Sequence, residues 1–215
     1  MSILVTGASK GIGLSVVSSL IDDNRDVIAQ YRSTPPPLEH ERLTWWRASF
    51  EPGATAYLPA AEYEAVVHCA GVVELGTCAT LSEQAWRDHM EVNLYAPVRL
   101  TNMVLPSLRE RDGHVIYINS GAGLHTKPEW GAYSASKFAA RAWCDTLRAE
   151  EPKIRVTSIY PGRVDTDMQR GIVAYEGGEY DGSQFIAAQT IAQTVVSVLH
   201  TPRDAQVHDI SIRPR

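Results

Sequence analysis

The sequence is short of several things, and each shortage closes off a class of function. Of 215 residues only three are cysteines, Cys69, Cys78 and Cys144. Their spacing fits neither a metal site nor a redox pair, so no metal is expected. An odd, sparse set of thiols places the expected location in a reducing cytoplasm. The net charge is −5, and no global basic field is there to hold nucleic acid or an anionic membrane surface. No apolar run approaches the ~20 residues that a membrane-spanning helix needs. The first apolar run begins at Ile3, so no cleaved leader is expected ahead of it. What remains is 44% hydrophobic and 21% charged, ordinary for a globular chain long enough to bury one sizeable core.

What is present alternates. Short β-like runs at 3–5, 27–30, 43–46, 65–69, 114–119, 155–160 and 207–212 are separated by helix-like segments at 12–22, 83–110, 132–150 and 189–200. Residues 53–64 carry a weaker helical pattern. This alternation predicts an α/β fold with a parallel sheet of about seven strands and helices on both faces, a three-layer sandwich. Such sheets bind ligands at the carboxyl ends of their strands, near the point where strand order reverses. No repeat or linker divides the chain, so residues 1–215 are expected to form one domain. Two stretches look irregular. Pro35-Pro36-Pro37 reads as a surface polyproline turn. Residues 169–188 are glycine-rich with little periodicity, and read equally as a substrate loop or as a plain surface loop.

Ile3-Leu4-Val5 leads into Thr6-Gly7-Ala8-Ser9-Lys10-Gly11-Ile12-Gly13 and then into an apolar helical pattern. Strand, glycine turn and helix in that order suit a dinucleotide. Glycines let backbone approach the pyrophosphate, and the N–H groups of a helix start attract its charge. A tight turn alone would need fewer glycines. The second strand ends Ile28-Ala29-Gln30-Tyr31-Arg32-Ser33, with no Asp or Glu between Val27 and Pro37. An NAD site usually places a carboxylate there to hold the adenosine ribose. Arg32 instead offers a planar fork suited to a phosphate, and Lys10 a second positive charge. The expected cofactor is therefore NADP(H), with NAD(H) as the alternative if Arg32 and Lys10 are only solvated surface residues.

A strand, His114-Val115-Ile116-Tyr117-Ile118, runs into Asn119-Ser120-Gly121, and Ala132-Tyr133-Ser134-Ala135-Ser136-Lys137 follows. Tyr133 and Lys137 are four apart, so a helix projects both from one face. An ammonium beside a phenol favours the phenolate and lowers its pKa. A tyrosine so tuned exchanges a proton with a carbonyl or alcohol oxygen, and Ser120 at its strand end is placed to hydrogen-bond the same oxygen. Alone, a Tyr/Lys pair at this spacing is usually a surface pair.

Taken together, Thr6-Gly7, Gly11-Ile12-Gly13, Cys69-Ala70-Gly71, Asn93, Ser120, Tyr133 with Lys137, and Pro161-Gly162-Arg163-Val164-Asp165-Thr166 appear in an order that resembles the short-chain dehydrogenase/reductase family. The resemblance runs from about Ser2 to the last strand. It implies a Rossmann-type doubly wound sheet and hydride transfer between a nicotinamide and a carbonyl or alcohol, as in a carbonyl reductase. It implies Tyr133 as general acid/base, Lys137 on the nicotinamide ribose, Ser120 orienting the substrate oxygen, and Asn93 helping to hold a proton-relay water. Gly7, Ser9, Lys10, Gly11, Ile12, Gly13, Arg32, Ser49, Phe50, Cys69, Ala70 and Gly71 would line the dinucleotide. Pro161 and Gly162 would lie beside the nicotinamide, with the Val164 backbone and Thr166 on its carboxamide. It also implies pairing of helices 83–110 and 132–150 into a homodimer or homotetramer.

The sequence departs from the family in three places. Cys69 stands where an asparagine usually braces neighbouring backbone, and a thiol is a weak hydrogen-bond partner. Ala48-Ser49-Phe50 lacks the aspartate often found after the third strand, leaving Ser49 a lesser contact. Only 19 residues separate Trp46 from Val66, which shortens that crossover. By family position His125, Glu129, Trp130, Met168, Tyr175 and Tyr180 border a small-molecule substrate. Their aromatic walls favour a neutral or moderately apolar carbonyl compound. Two other readings stay open: a cofactor-binding regulatory protein, and a non-redox lyase or isomerase on the same fold.

Overall fold

The computed structural model describes residues 1–33, 38–50 and 57–215. The Pro35-Pro36-Pro37 turn lies outside the described residues. So do residues 53–56 of the weak helical segment, and 57–62 form no helix.

Seven strands make one sheet: β1 (Ser2–Thr6), β2 (Asp26–Tyr31), β3 (Leu43–Arg47), β4 (Tyr63–His68), β5 (His114–Ile118), β6 (Arg155–Pro161) and β7 (Asp209–Ile212). Their order is 3-2-1-4-5-6-7, and every neighbouring pair is parallel. Among the described residues six α-helices accompany them: α1 (Gly11–Asp22), α2 (Glu83–Met90), α3 (Ala96–Glu110), α4 (Gly131–Glu150), α5 (Asp167–Tyr175) and α6 (Ala188–Leu199). This is the Rossmann-type doubly wound fold.

The period of two along each strand sorts side chains between two core layers. In β1, Ile3 and Val5 pack with Val16, Val17 and Leu20 of α1 and Ile191, Val195 and Val198 of α6. Leu4, between them, packs with Leu100, Val104 and Leu108 of α3 and Ala140, Cys144 and Leu147 of α4. Interior strands covered on both faces need apolar residues at nearly every position, which is why they read as short continuous runs. Each such side chain, fully buried, contributes about 1.5–3 kcal/mol. The chain leaves β1 for β2 and β3 on one side and returns to β4 on the other. The carboxyl ends of β1 and β4 therefore part at the strand-order reversal and open a crevice there.

Two helices differ from the sequence-based expectation. Residues 83–110 do not form one regular α-helix, because a π-helical turn, Glu91–Tyr95, separates α2 from α3. Within it the Ala96 N–H reaches back to the Glu91 carbonyl. The physical cause sits just downstream. Pro97 has no N–H for the carbonyl four residues back, which belongs to Asn93, and its ring crowds that carbonyl. The second difference is α5, inside the stretch read as irregular from residue 169. Its start is capped by Thr166, whose hydroxyl accepts the Gln169 N–H at 3.3 Å. Gln169, Ile172 and Val173 form its buried face.

Candidate active site

A cavity of about 720 Å³ opens at the carboxyl ends of the strands. The glycine turn after β1 forms one end. Gly7 has φ +62°, and a Cβ there would meet the Ala70 Cα at 2.7 Å. A Cβ on Gly13 would meet the Gly7 carbonyl oxygen at 2.2 Å. Both positions therefore need glycine for contact with backbone, before any ligand is considered. Lys10 supplies no side-chain cap to α1, whose first turn carries no acidic residue. That uncapped helix start with glycines around it fits the pyrophosphate of a dinucleotide.

Two residues to which the sequence reading gave no role hold this end together. Gln30, buried at the end of β2, accepts the Gly7 N–H at 2.8 Å and donates to the Ala48 carbonyl at 2.6 Å. Thr6 accepts the N–H groups of both Cys69 and Ala70 at 3.1 Å. The backbone brace expected to be weakened by Cys69 is thus supplied from β1. Burial pushes the Cys69 thiol up to about 12, which suits a packed small residue and not a nucleophile.

Gly7, Ser9, Lys10, Gly11, Ile12, Gly13, Arg32, Phe50, Cys69, Ala70 and Gly71 all line the cavity, as do Pro161, Gly162, Val164 and Thr166. Ser49 does not; it lies half-buried next to Phe50, outside the wall formed by the described residues. Lys10 reaches across the rim to Asp167 at 3.7 Å, an exposed pair that binds weakly and exchanges readily.

At the other end stand Ser120, Tyr133 and Lys137. Ser120 leaves β5 in extended conformation, and its hydroxyl accepts the Ala122 N–H at 3.1 Å. Tyr133 lies in the first turn of α4, 7% exposed, with Trp130 edge-on at 5.7 Å and His89 at 6.2 Å. His89 accepts the Glu74 N–H on Nε2 at 3.0 Å, which puts its proton on Nδ1, toward the Ala85 carbonyl at 2.6 Å. Burial raises the Tyr133 phenol above its ordinary value, while a hydrogen bond with Ser120 acts the other way.

Lys137 corrects the sequence-based expectation. Its ammonium is 5.9 Å from the Tyr133 ring centre, and its hydrogen bonds go to the Tyr117 hydroxyl at 3.2 Å and the Ile118 carbonyl at 3.0 Å. Burial pushes Lys137 itself down to about 7. Desolvation, and not the ammonium, sets the direction in which the phenol is shifted. The four-residue spacing did bring the two groups together on one face.

Asn93, which the resemblance implies as a holder of a relay water, is bonded to protein through its side chain and its backbone carbonyl. It is fully buried behind the cavity wall. Its side-chain oxygen accepts the Val72 N–H at 2.9 Å. Its amide donates to the Val72 carbonyl at 3.1 Å and to Ser136 Oγ at 3.0 Å. Its backbone carbonyl accepts the Tyr117 hydroxyl. Asn93 thus clamps the 70–72 loop against α4.

Of the residues expected to border a substrate, His125, Trp130 and Met168 line the cavity. Glu129 and Tyr175 lie outside it and meet each other instead, the Tyr175 hydroxyl donating to Glu129 at 3.2 Å. Tyr180 donates to Asp165. Glu176 accepts from Arg163 at 2.6 Å and from Lys127 at 3.3 Å, tying the end of α5 to the loop before α4. Among the described residues no cluster has the make-up of a metal site, and no helix is long and apolar enough to cross a membrane.

Comparison with known proteins gives the same answer as the geometry. A family profile described as short chain dehydrogenase matches residues 60–177, more than half of the chain. An uncharacterised oxidoreductase of Schizosaccharomyces pombe is 34% identical over 79% of this chain and 73% of its own. Dehydrogenase/reductase SDR family member 11 of Mus musculus is 30% identical over 98% of this chain and 93% of its own. The closed form of a serine dehydrogenase complexed with NADP+ superposes with a TM-score of 0.87, covering 99% of this chain and 94% of that one at 24% identity. The chain therefore belongs to the short-chain dehydrogenase/reductase family of oxidoreductases.

Proposed function

We propose that this oxidoreductase reduces a neutral or moderately apolar carbonyl compound to an alcohol with NADPH. The observation that carries the reading is the convergence of Ser120, Tyr133 and Lys137 on one wall of the cavity whose far end is the glycine cradle. When bound, the nicotinamide supplies hydride to the carbonyl carbon. Tyr133 delivers a proton to the carbonyl oxygen, and Ser120 hydrogen-bonds that oxygen as charge develops on it. Burial keeps the phenol protonated at neutral pH, so the resting site is set for donation, the direction of reduction.

The remaining residues bind and orient. The N–H groups of the glycine turn and the start of α1 would hold the pyrophosphate, and Phe50 would wall the adenine side. Arg32 and Lys10 favour a 2′-phosphate, and the absence of any acid between Val27 and Pro37 removes the group that would repel it. Lys137 would hold the nicotinamide ribose with the donor that Tyr117 and Ile118 leave over. Val164 and Thr166 would hold the carboxamide. Trp130, His125, Met168 and Ile172 enclose the substrate with little fixed charge. On the outer side of the helical layer, Tyr95, Met103 and Phe138 are 49%, 48% and 40% exposed. They support pairing into a homodimer or homotetramer, which light scattering at micromolar concentration tests, a monomer refuting it.

The deciding experiment is a panel of aldehydes and ketones with NADPH, followed at 340 nm. Cofactor oxidation that depends on the carbonyl supports the reading. NADPH binding without turnover across the panel supports a regulatory protein instead, and carbonyl conversion without loss of cofactor absorbance supports a lyase or isomerase.

A further inference from the structure

Tyr117 sits one residue from the carboxyl end of β5, fully buried, on the face that packs against α3 and α4. Trp143 and His68 contact its ring at 6.1 and 6.2 Å. In the strand pattern it reads as one more core residue, yet its hydroxyl has a polar partner on each side. The Lys137 ammonium, 4.7 Å from the ring centre, donates to the hydroxyl oxygen at 3.2 Å. The hydroxyl donates to the Asn93 carbonyl. That carbonyl needs a donor because Pro97 withholds the one an α-helix would provide.

The direction of these bonds is fixed by chemistry. An ammonium only donates, a carbonyl only accepts, and a phenol has one proton. The Tyr117 proton must therefore point at Asn93 and its lone pair at Lys137. A proton arriving from Lys137 would have to displace one onto an amide carbonyl that cannot keep it. The chain of three groups is a strut and not a conduit, and burial, holding the Tyr117 phenol well above its ordinary value, points the same way.

We infer that Tyr117 is a positioning residue: it braces the Lys137 ammonium against the helix backbone at Asn93, so that protein, and not solvent, holds the lysine at the cavity floor. The inference rests on the reductase reading only for its effect on turnover. The other titratable groups around Lys137 are His68 in β4, Cys69 just after it, and Tyr133 and Cys144 on α4. Burial keeps both thiols and His68 uncharged near neutral pH. The Tyr117 oxygen is thus a main support of the charged lysine.

The test is Tyr117→Phe, which keeps the ring and removes the hydroxyl. In cofactor-free protein carrying 13Cε-labelled lysine, the Lys137 midpoint is expected to fall by about half a pH unit to one unit, because an acceptor that favoured the charged form is gone. With NADPH and an active carbonyl, kcat is expected to fall about ten-fold while the KM for the carbonyl stays within about two-fold. A merely structural role would lower the melting temperature and leave the lysine midpoint in place. An unchanged midpoint with unchanged kcat in the folded variant overturns the inference. Should the variant not fold, the wild-type Tyr117 hydroxyl decides. Slow hydrogen exchange, read from the isotope shift on the labelled ring carbon, supports the strut, and exchange at the rate of an open phenol overturns it. If no carbonyl is reduced by the wild type, the reductase reading fails, while the lysine midpoint still judges Tyr117.

Discussion

The Lys137 ammonium lies 5.9 Å from the centre of the Tyr133 ring, yet its two hydrogen bonds go to Tyr117 and Ile118. The pair is close in space and separate in bonding. Each group is therefore perturbed mainly by burial, and in opposite senses: the phenol is raised and the ammonium lowered. This separation makes the two residues distinguishable by experiment.

Tyr133→Phe removes the proton donor and leaves the ring between Trp130 and His89. Turnover is expected to fall by about 10³, while NADPH binding, followed by fluorescence, changes by less than about three-fold. Near-normal turnover in this variant would remove Tyr133 from the mechanism.

Lys137→Met is expected to lose turnover and gain stability below pH 7. Unfolded, the lysine titrates near 10.5; folded, it is brought down to about 7. Between those values the unfolded chain holds the extra proton, so stability rises with pH from 7 toward 10.5. Below 7 the folded state bears the whole cost of a buried ammonium. Methionine removes that cost, and the melting temperature at pH 6 should rise by about 4 °C or more, with a smaller gain at pH 10. Thermal melts at the two pH values check this, and equal or lower stability at pH 6 contradicts it.

Arg32→Ala tests the cofactor preference. A charge-assisted contact to phosphate is worth about 1.5–3 kcal/mol, so NADPH affinity should fall about ten- to a hundred-fold with NADH affinity unchanged. Equal losses for both cofactors would move Arg32 away from the 2′-phosphate.

Two glycines make opposite predictions. Gly13→Ala forces a Cβ to within 2.2 Å of the Gly7 carbonyl oxygen and should abolish NADPH binding, or folding itself. Gly171, inside α5, has nothing within 4 Å of an added Cβ. Gly171→Ala should stabilise the protein by about 0.5–1 kcal/mol, as read from denaturant unfolding.

Much of this architecture was legible because it depends on spacing. Alternating apolar runs gave the seven strands within a residue or two at most ends, and the glycine turn lay at the reversal of strand order. Tyr133 and Lys137 share a helix face as their four-residue separation requires. What stayed hidden depends on surroundings. Helix α5 was masked by Gly171 and by Gln169, a polar residue on its buried face, although Thr166 and Asp167 form a proper helix start. Tyr117 looked like core because a strand pattern sees its ring and not its hydroxyl. The pKa of Lys137 could not follow from spacing, since desolvation is set by residues far apart in the chain. One signal did lie in the open: Pro97, four places after Asn93, marks a carbonyl in need of a donor.

The π-helical turn at Glu91–Tyr95 makes chain length itself a functional variable. Such a turn holds one residue more than a regular helix would. Deleting a neighbour of Asn93 within it would tighten the turn against the Pro97 ring, which crowds the carbonyl four places back. It would also pull Asn93 away from Val72, Ser136 and Tyr117. The site is thus expected to tolerate many substitutions along this helix better than a single deletion, which would disable it while leaving every reacting group in the sequence.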